Sequence, residues 1–203
     1  MIKINNVSKE IKHNQVLKNI NLEFEFGKAY LLHGHNGCGK TMLLRLLSGL
    51  IRPTSGEVQK KEGLSYGVLI EKPGFLENYS ARYNLEYLAA IQNKIADSEI
   101  DVALERVNLL NDAKRKVKTY SLGMKQRLGI AQAIMENQDV LLLDEPFNAL
   151  DEDNLNRILE ILKEEQKKGK LIVVAAHNLP LEISDFFDVK IKLNNGQVKE
   201  IVA

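Results

Sequence analysis

Gly34-His35-Asn36-Gly37-Cys38-Gly39-Lys40-Thr41 sets two glycines, a lysine and a hydroxyl at the offsets of a phosphate-binding loop. The spacing has a chemical reason. Glycines at 34, 37 and 39 let the backbone curl until successive N–H groups point inward at phosphate oxygens. A helix starting near Lys40 adds its positive end. Lys40 is placed to reach the β- and γ-phosphates, and the Thr41 hydroxyl to ligate Mg²⁺. The flanks agree. Ala29-Tyr30-Leu31-Leu32 reads as a buried strand entering the loop, and residues 42–50 read as the helix leaving it, with Gly49 near its end. Nucleotide contacts are therefore expected along residues 34–41 and at Met42.

Bulk properties narrow the class. A chain of 203 residues suggests one domain, or one domain with a lobe, and is long enough to bury a real core. It is 44% hydrophobic and 27% charged with a formal net charge of +1, which gives no electrostatic footprint for nucleic acid. Cys38 is the only cysteine, so no intrachain disulfide forms and a reducing cytosol is expected. No apolar run approaches the ~18 residues of a membrane span. Met1-Ile2-Lys3-Ile4-Asn5 alternates like a strand and does not read as a signal peptide.

Ile20, Leu22, Phe24 and Phe26 alternate with polar residues, which predicts a strand with one buried face. With residues 2–7 it predicts an antiparallel β layer ahead of the loop. Pro53-Thr54-Ser55-Gly56 reads as a turn and residues 64–70 as a strand. From about 81 to 137 the pattern is mostly helical. Ser98-Glu99-Ile100-Asp101 resembles a capping box opening one of these helices. Val140-Leu141-Leu142-Leu143 has strand length, residues 152–168 read as a helix stopped by Gly169, and residues 171–176 as another buried strand. Asn194-Asn195-Gly196 predicts a hairpin turn between two short final strands. The order predicts a parallel α/β core carrying a helical insertion at approximately residues 75–138.

Two further stretches carry chemistry. The strand at 140–143 delivers Asp144 and Glu145 at its C-terminal end, where open α/β sheets place ligands. Adjacent strand residues point to opposite sides, so the two acids take different roles. Asp144 is placed to hold Mg²⁺, and Glu145 to accept a proton from attacking water. In Tyr120-Ser121-Leu122-Gly123-Met124-Lys125-Gln126-Arg127, Ser121 reads as the N-cap of a helix. That is an ordinary helix cap on sequence grounds alone, and an anion site if a phosphate is brought to it.

Taken together, these motifs resemble the ATP-binding subunit of an ATP-binding-cassette (ABC) transporter over essentially the whole chain. Residues 34–41 match the family's phosphate loop, and Glu71 falls at its glutamine-loop position. Ser121 and Gly123 match the signature, and Asp144 and Glu145 the Walker B acid and the catalytic base. Asn148-Ala149-Leu150-Asp151 matches the D-loop, and His177 the switch histidine. The resemblance implies a phosphate-loop NTPase (RecA-like) core and a single ABC ATPase domain spanning residues 1–203. It implies ATP and Mg²⁺ as ligands, with Thr41, Asp144 and Glu71 toward the metal and Glu145, His177 and Lys40 catalytic. It implies a head-to-tail pair, each ATP lying between the phosphate loop of one chain and Ser121 and Gly123 of the other. A separate transmembrane permease would dock on the helical insertion and the Glu71 loop, which places the chain at the inner face of the cell membrane.

The chain departs from the pattern in places. Glu71 stands for the usual glutamine, keeping an oxygen ligand but losing an amide donor. Leu122 and Met124 replace a glycine and a glutamine of the signature. The adenine-stacking aromatic is expected between residues 7 and 13, where Ile11 stands, with His13 as a substitute. The Glu71 loop and Ser121-Leu122-Gly123-Met124 resemble ATPase subunits that export peptide antibiotics and similar compounds. Cys38 lies among loop N–H groups near a helix start, an environment that favours thiolate, although a small residue tolerated in the loop reads equally simply. His33 and His35 have no acids at a metal-site spacing, and Lys114-Arg115-Lys116 reads as a solvated face. The alternatives are a soluble ABC ATPase that does not transport, and a small-molecule kinase. The kinase leaves the signature, the Asp151 loop and His177 without a role.

Overall fold

The computed structural model describes residues 1–203 apart from 72, 93, 94 and 178. Two sheets form it. In the smaller, β1 (Ile2–Ile11) lies between β2 (Asn14–Phe24) and β4 (Ser55–Lys60), and both pairings are antiparallel. Ile2 pairs with Phe24 and Ile4 with Leu22, so the alternation seen in the sequence becomes one apolar face. This is the expected antiparallel layer.

The larger sheet has six strands in the order β5 (Tyr66–Leu69), β6 (Val140–Asp144), β7 (Leu171–Ala175), β3 (Ala29–His33), β8 (Val189–Asn194), β9 (Gln197–Val202). The first five run parallel, and β9 returns antiparallel through the Asn195-Gly196 turn. Both residues of that turn have positive φ, 48° and 78°, as a tight hairpin requires. Strands β3, β6 and β7 are apolar on both faces because both are covered. On β6, Val140 and Leu142 join the apolar cluster shared with the small sheet and α1 (Lys40–Ser48). Leu141 and Leu143 join the cluster on the opposite face.

Between β5 and β6 run α2 (Ala81–Gln92), α3 (Asp97–Arg106), two short 3₁₀ turns and α4 (Leu122–Ile134). Helix α4 lies against β5 with almost no gap. A Cβ on Gly67 would stand 1.8 Å from the Ala133 carbonyl oxygen, and one on Gly129 2.7 Å from a Leu69 methyl. Missing side chains on both surfaces thus let a helix backbone sit directly on a strand. Arg127, nearly buried, donates to the carbonyls of Val107 at 2.8 Å and Asn108 at 2.6 Å, tying α4 to the end of α3. The start of α3 differs from the sequence reading. Ala96 is the cap residue, and the Glu99 carboxylate accepts from its N–H at 2.8 Å, so Ser98 lies inside the helix. The Glu99 side chain, two residues nearer the chain start than the acid expected to close the box, satisfies the first free N–H.

Helix α5 (Glu152–Lys167) starts at Asp151, whose side chain accepts from Asn154 N–H at 2.8 Å, and ends before Gly169. Its Glu165 is 1% exposed. Arg106 from α3 reaches it at 2.8 Å, Lys168 also at 2.8 Å, and Lys170 closes the cluster. Burial alone would push this carboxyl upward; hydrogen bonds from Lys168, Lys170 and Arg106 outweigh that and pull it down to about 2. The sign follows directly. The folded carboxyl titrates below its ordinary 4.5, so its stabilisation is full above that pH and is lost as pH falls toward 2. Glu165→Gln should cost roughly 3–5 kcal/mol at neutral pH by stranding Lys170 without a counter-charge. The loss should shrink as pH falls below 4.5. Urea unfolding of both proteins across that range measures it, and a pH-independent difference would assign the stabilisation to packing.

Candidate active site

The parallel strands bring their C-terminal ends to one rim, where β3 leads into the loop, β6 ends at Asp144 and β7 leads to His177. Gly34 has φ 146° and a Cβ there would strike the Leu193 carbonyl oxygen at 2.2 Å. Gly39, with φ 112°, precedes α1, and its Cβ would press on Leu17 and on the Val16 carbonyl. Both positions accept only glycine. The final hairpin braces the loop from outside, with Gly196 N–H donating to the Cys38 carbonyl at 2.9 Å. His35 sits between the Asn36 carbonyl, 2.8 Å from Nδ1, and Asn194 Oδ1, 3.0 Å from Nε2.

Lys40 opens α1 and is only 7% exposed. Its Nζ donates to the Gly34 carbonyl at 2.9 Å and the His35 carbonyl at 3.4 Å, so its charge lies across the loop. Thr41 Oγ1 donates to Asp144 Oδ2 at 2.6 Å. Burial pushes the Asp144 carboxyl above its usual range, and the Thr41 hydrogen bond partly reverses the shift. A partly buried carboxylate beside a hydroxyl oxygen is a hard-oxygen donor pair of the kind Mg²⁺ takes. The two residues fit the ion on that ground.

Glu145 follows the end of β6 and lines the same cavity as Asp144, so the strand alternation expected to send the two acids to opposite sides is broken here. Its φ of 50° is unusual for a residue with a side chain. The conformation is held from three sides. Its N–H donates to the Ala175 carbonyl at 2.7 Å, and its carbonyl accepts from Gln126 Nε2 at 2.9 Å and from Asn148 N–H at 3.2 Å. Its Oε1 lies 2.5 Å from His177 Nδ1. A cavity of about 310 Å³ is lined by Val16, Asn36, Lys40, Met42, Asp144 and Glu145 among others. A second, of about 450 Å³, lies between residues 33–36 and His177. Burial holds the His33 imidazole below its ordinary range, with the nearby Lys192 adding to the effect.

The structure thus brings together Lys40, Thr41, Asp144, Glu145 and His177 beside the loop. Other expected residues lie apart. Ser121 and Gly123 line neither cavity. Ser121 caps α4, accepting from Met124 N–H at 3.2 Å, and is exposed. Gly123 fits against the Asn148–Ala149 turn, where a Cβ would meet the Ala149 carbonyl oxygen at 2.5 Å. Glu71 is joined to Arg45 at 2.6 Å and not to the Thr41–Asp144 pair. Ile11 pairs with Asn14 at the tip of the β1–β2 hairpin, outside the cavity, whereas Val16 lines it. Cys38 is 1% exposed and packs among Leu and Ile side chains of the small-sheet cluster, so the loop presents its backbone and not its thiol. Val16, Gln126 and Arg45 were not singled out by the sequence. Alternation extended back from Ile20 would put Val16 on the core face, but an irregularity between Leu17 and Ile20 gives that face to Leu17 and leaves Val16 to the cavity.

The family described as ABC transporter matches residues 17–148, which contain the loop, Ser121, Asp144 and Glu145. An uncharacterized ABC transporter ATP-binding protein of Bacillus subtilis, YybJ, is 44% identical over 98% of this chain and 95% of its own. The lantibiotic transport ATP-binding protein SrtF of Streptococcus pyogenes is 36% identical over 88% of this chain and 81% of its own. Among solved structures, the dimeric bacterial ABC transporter cassette MJ0796 superposes with a TM-score of 0.91 at 26% identity, covering 100% of this chain and 98% of that one. With the loop, the paired acids and His177 already assembled on one rim, the chain belongs to the ABC transporter family, as one of its ATP-binding, ATP-hydrolysing chains.

Proposed function

We propose that two copies of this chain close head to tail around two ATP molecules and that hydrolysis of that ATP drives a separate membrane permease. The observation carrying this reading is a division within the chain. The loop, Lys40 and the two acids share one cavity, while Ser121 lies exposed and outside it. An exposed hydroxyl at a helix start is placed to meet a γ-phosphate held by another copy.

The chemistry follows from named groups. Loop N–H groups and Lys40 take the phosphate oxygens, and Lys40 exchanges the Gly34 and His35 carbonyls for them. Thr41 and Asp144 would hold Mg²⁺, which neutralises charge on the β- and γ-phosphates when bound. Glu145 accepts a proton from water aligned with the γ-phosphorus. His177 orients that carboxylate through the contact at 2.5 Å and faces the cavity on the other side of the loop. Val16 supplies apolar contact to the base. Ile11 takes that role only if the hairpin tip swings over the site.

Residues 75–138 act as a helical subdomain within one ABC ATPase domain of residues 1–203. A groove of about 430 Å³ runs between its α2 and the end of β5, lined by Arg45, Pro73, Phe75, Tyr87 and Leu88 among others. Tyr79, Tyr83, Tyr87 and Ile91 recur every fourth residue and are exposed. Tyr79 and Tyr83 stack at 4.5 Å. Such a row fits a permease segment lying in the groove. Among the described residues no helix is long and apolar enough to cross a membrane, which fits attachment at the inner membrane face through that partner. The likeness to a lantibiotic transport protein, with Glu71 and Leu122-Gly123-Met124, supports export of peptide-like compounds.

Lys40→Ala should lower phosphate release at least about 100-fold by removing a charge aimed at the transferring group. Turnover within tenfold of the parent would remove the loop from the mechanism. Glu145→Gln should bind MgATP, release almost no phosphate and run as a dimer by light scattering at high protein concentration. Adding Ser121→Arg should return it to monomer. A Glu145→Gln chain that stays monomeric with MgATP would contradict the shared site.

A further inference from the structure

Arg45 lies four residues after Thr41 on α1, on the same face of the helix. Its Nη2 donates to Glu71 Oε1 at 2.6 Å. Glu71 follows β5 with φ 61°, a left-handed conformation in which a non-glycine side chain is uncommon. Arg45 also lines the groove beside α2. Arg45 therefore links the groove to Glu71 from one helical turn beyond Thr41.

Both side chains are partly solvated, Arg45 at 32% and Glu71 at 60%. An ion pair this exposed adds little to folding stability. Its consequence is directional. A carboxylate at position 71 is a third acid beside Asp144 and Glu145, and its charge is felt at Asp144. The guanidinium balances that charge and fixes where the carboxylate points, through a planar fork that a lysine lacks.

We propose that Arg45 is a positioning residue that holds Glu71 turned away from the Thr41–Asp144 pair and so sets how much Mg²⁺ the site needs to bind nucleotide. This rests on the reading of Thr41 and Asp144 as the Mg²⁺ ligands. With Arg45 in place, the Glu71 carboxylate is held at the guanidinium. Without it, the carboxylate has no fixed partner and is free to supply an additional oxygen to the metal. In the absence of metal, the same free carboxylate repels the triphosphate.

The test is equilibrium binding of ATP by calorimetry, in the full chain carrying Glu145→Gln, across a series of free Mg²⁺ concentrations and in EDTA. Arg45→Gln should lower the Mg²⁺ concentration giving half-maximal affinity by about two- to fivefold, the range of an exposed ion pair. In EDTA it should weaken ATP by a similar factor. Adding Glu71→Gln should cancel both effects, because the carboxylate is their agent. An Arg45→Gln chain with the parental midpoint, or a shift that persists after Glu71→Gln, overturns the proposal. A parent whose ATP affinity is indifferent to Mg²⁺ instead overturns the metal reading beneath it, so the two failures are told apart.

Discussion

The hydrogen bond from Thr41 to Asp144 joins two segments that the chain order keeps far apart. Thr41 belongs to the helix after β3, and Asp144 ends β6, with β7 standing between those strands in the sheet. Helix α1 packs beneath β6 and β7, and the bond fixes its first turn at the rim. Partial burial of Asp144 raises the cost of its charge. The compensating groups are Thr41 and the cation of Lys40, and a divalent ion is the larger compensation the position calls for. Beside this contact Lys40 reaches across the loop to the Gly34 carbonyl, and the backbone of Glu145, at positive φ, is held by Ala175, Gln126 and Asn148. Asp144 and Glu145 are neighbours in sequence that line one cavity with different side-chain partners, Thr41 for the first and His177 for the second.

Much of this was legible beforehand because the chemistry is local. A phosphate cradle needs glycines, a lysine and a hydroxyl within eight consecutive residues, and β6 carries its acids at its own end. What was illegible depends on contacts between distant segments. Cys38 reads as a member of the loop, yet its side chain turns into the core formed with β1 and β2. Ile11 has the expected apolar character, but the hairpin register carries it to the tip and gives Val16 to the cavity. Gly67 and Gly129 look unremarkable in sequence. Only the approach of α4 to β5 shows why neither tolerates a methyl group. The start of α3 differs from the capping-box expectation because two acids stand within reach of candidate caps, and Glu99 is the one that turns back to a free N–H.

The departures from the family pattern are of two kinds. Leu122 and Met124 leave intact the features that geometry demands, namely the Ser121 hydroxyl cap and the space at Gly123. Glu71 changes a charge, and the structure answers it with another charge from Arg45. Arg45 also lines the groove beside α2.

The account as a whole rests on the nucleotide being completed by a second chain. A crystal structure of the Glu145→Gln protein grown with MgATP addresses this directly. The account predicts one nucleotide whose γ-phosphate touches Lys40 and the loop N–H groups of one copy and the Ser121 hydroxyl of another, with Thr41 and Asp144 at the metal. A nucleotide enclosed by a single chain, with Ser121 of every copy left in solvent, would contradict it.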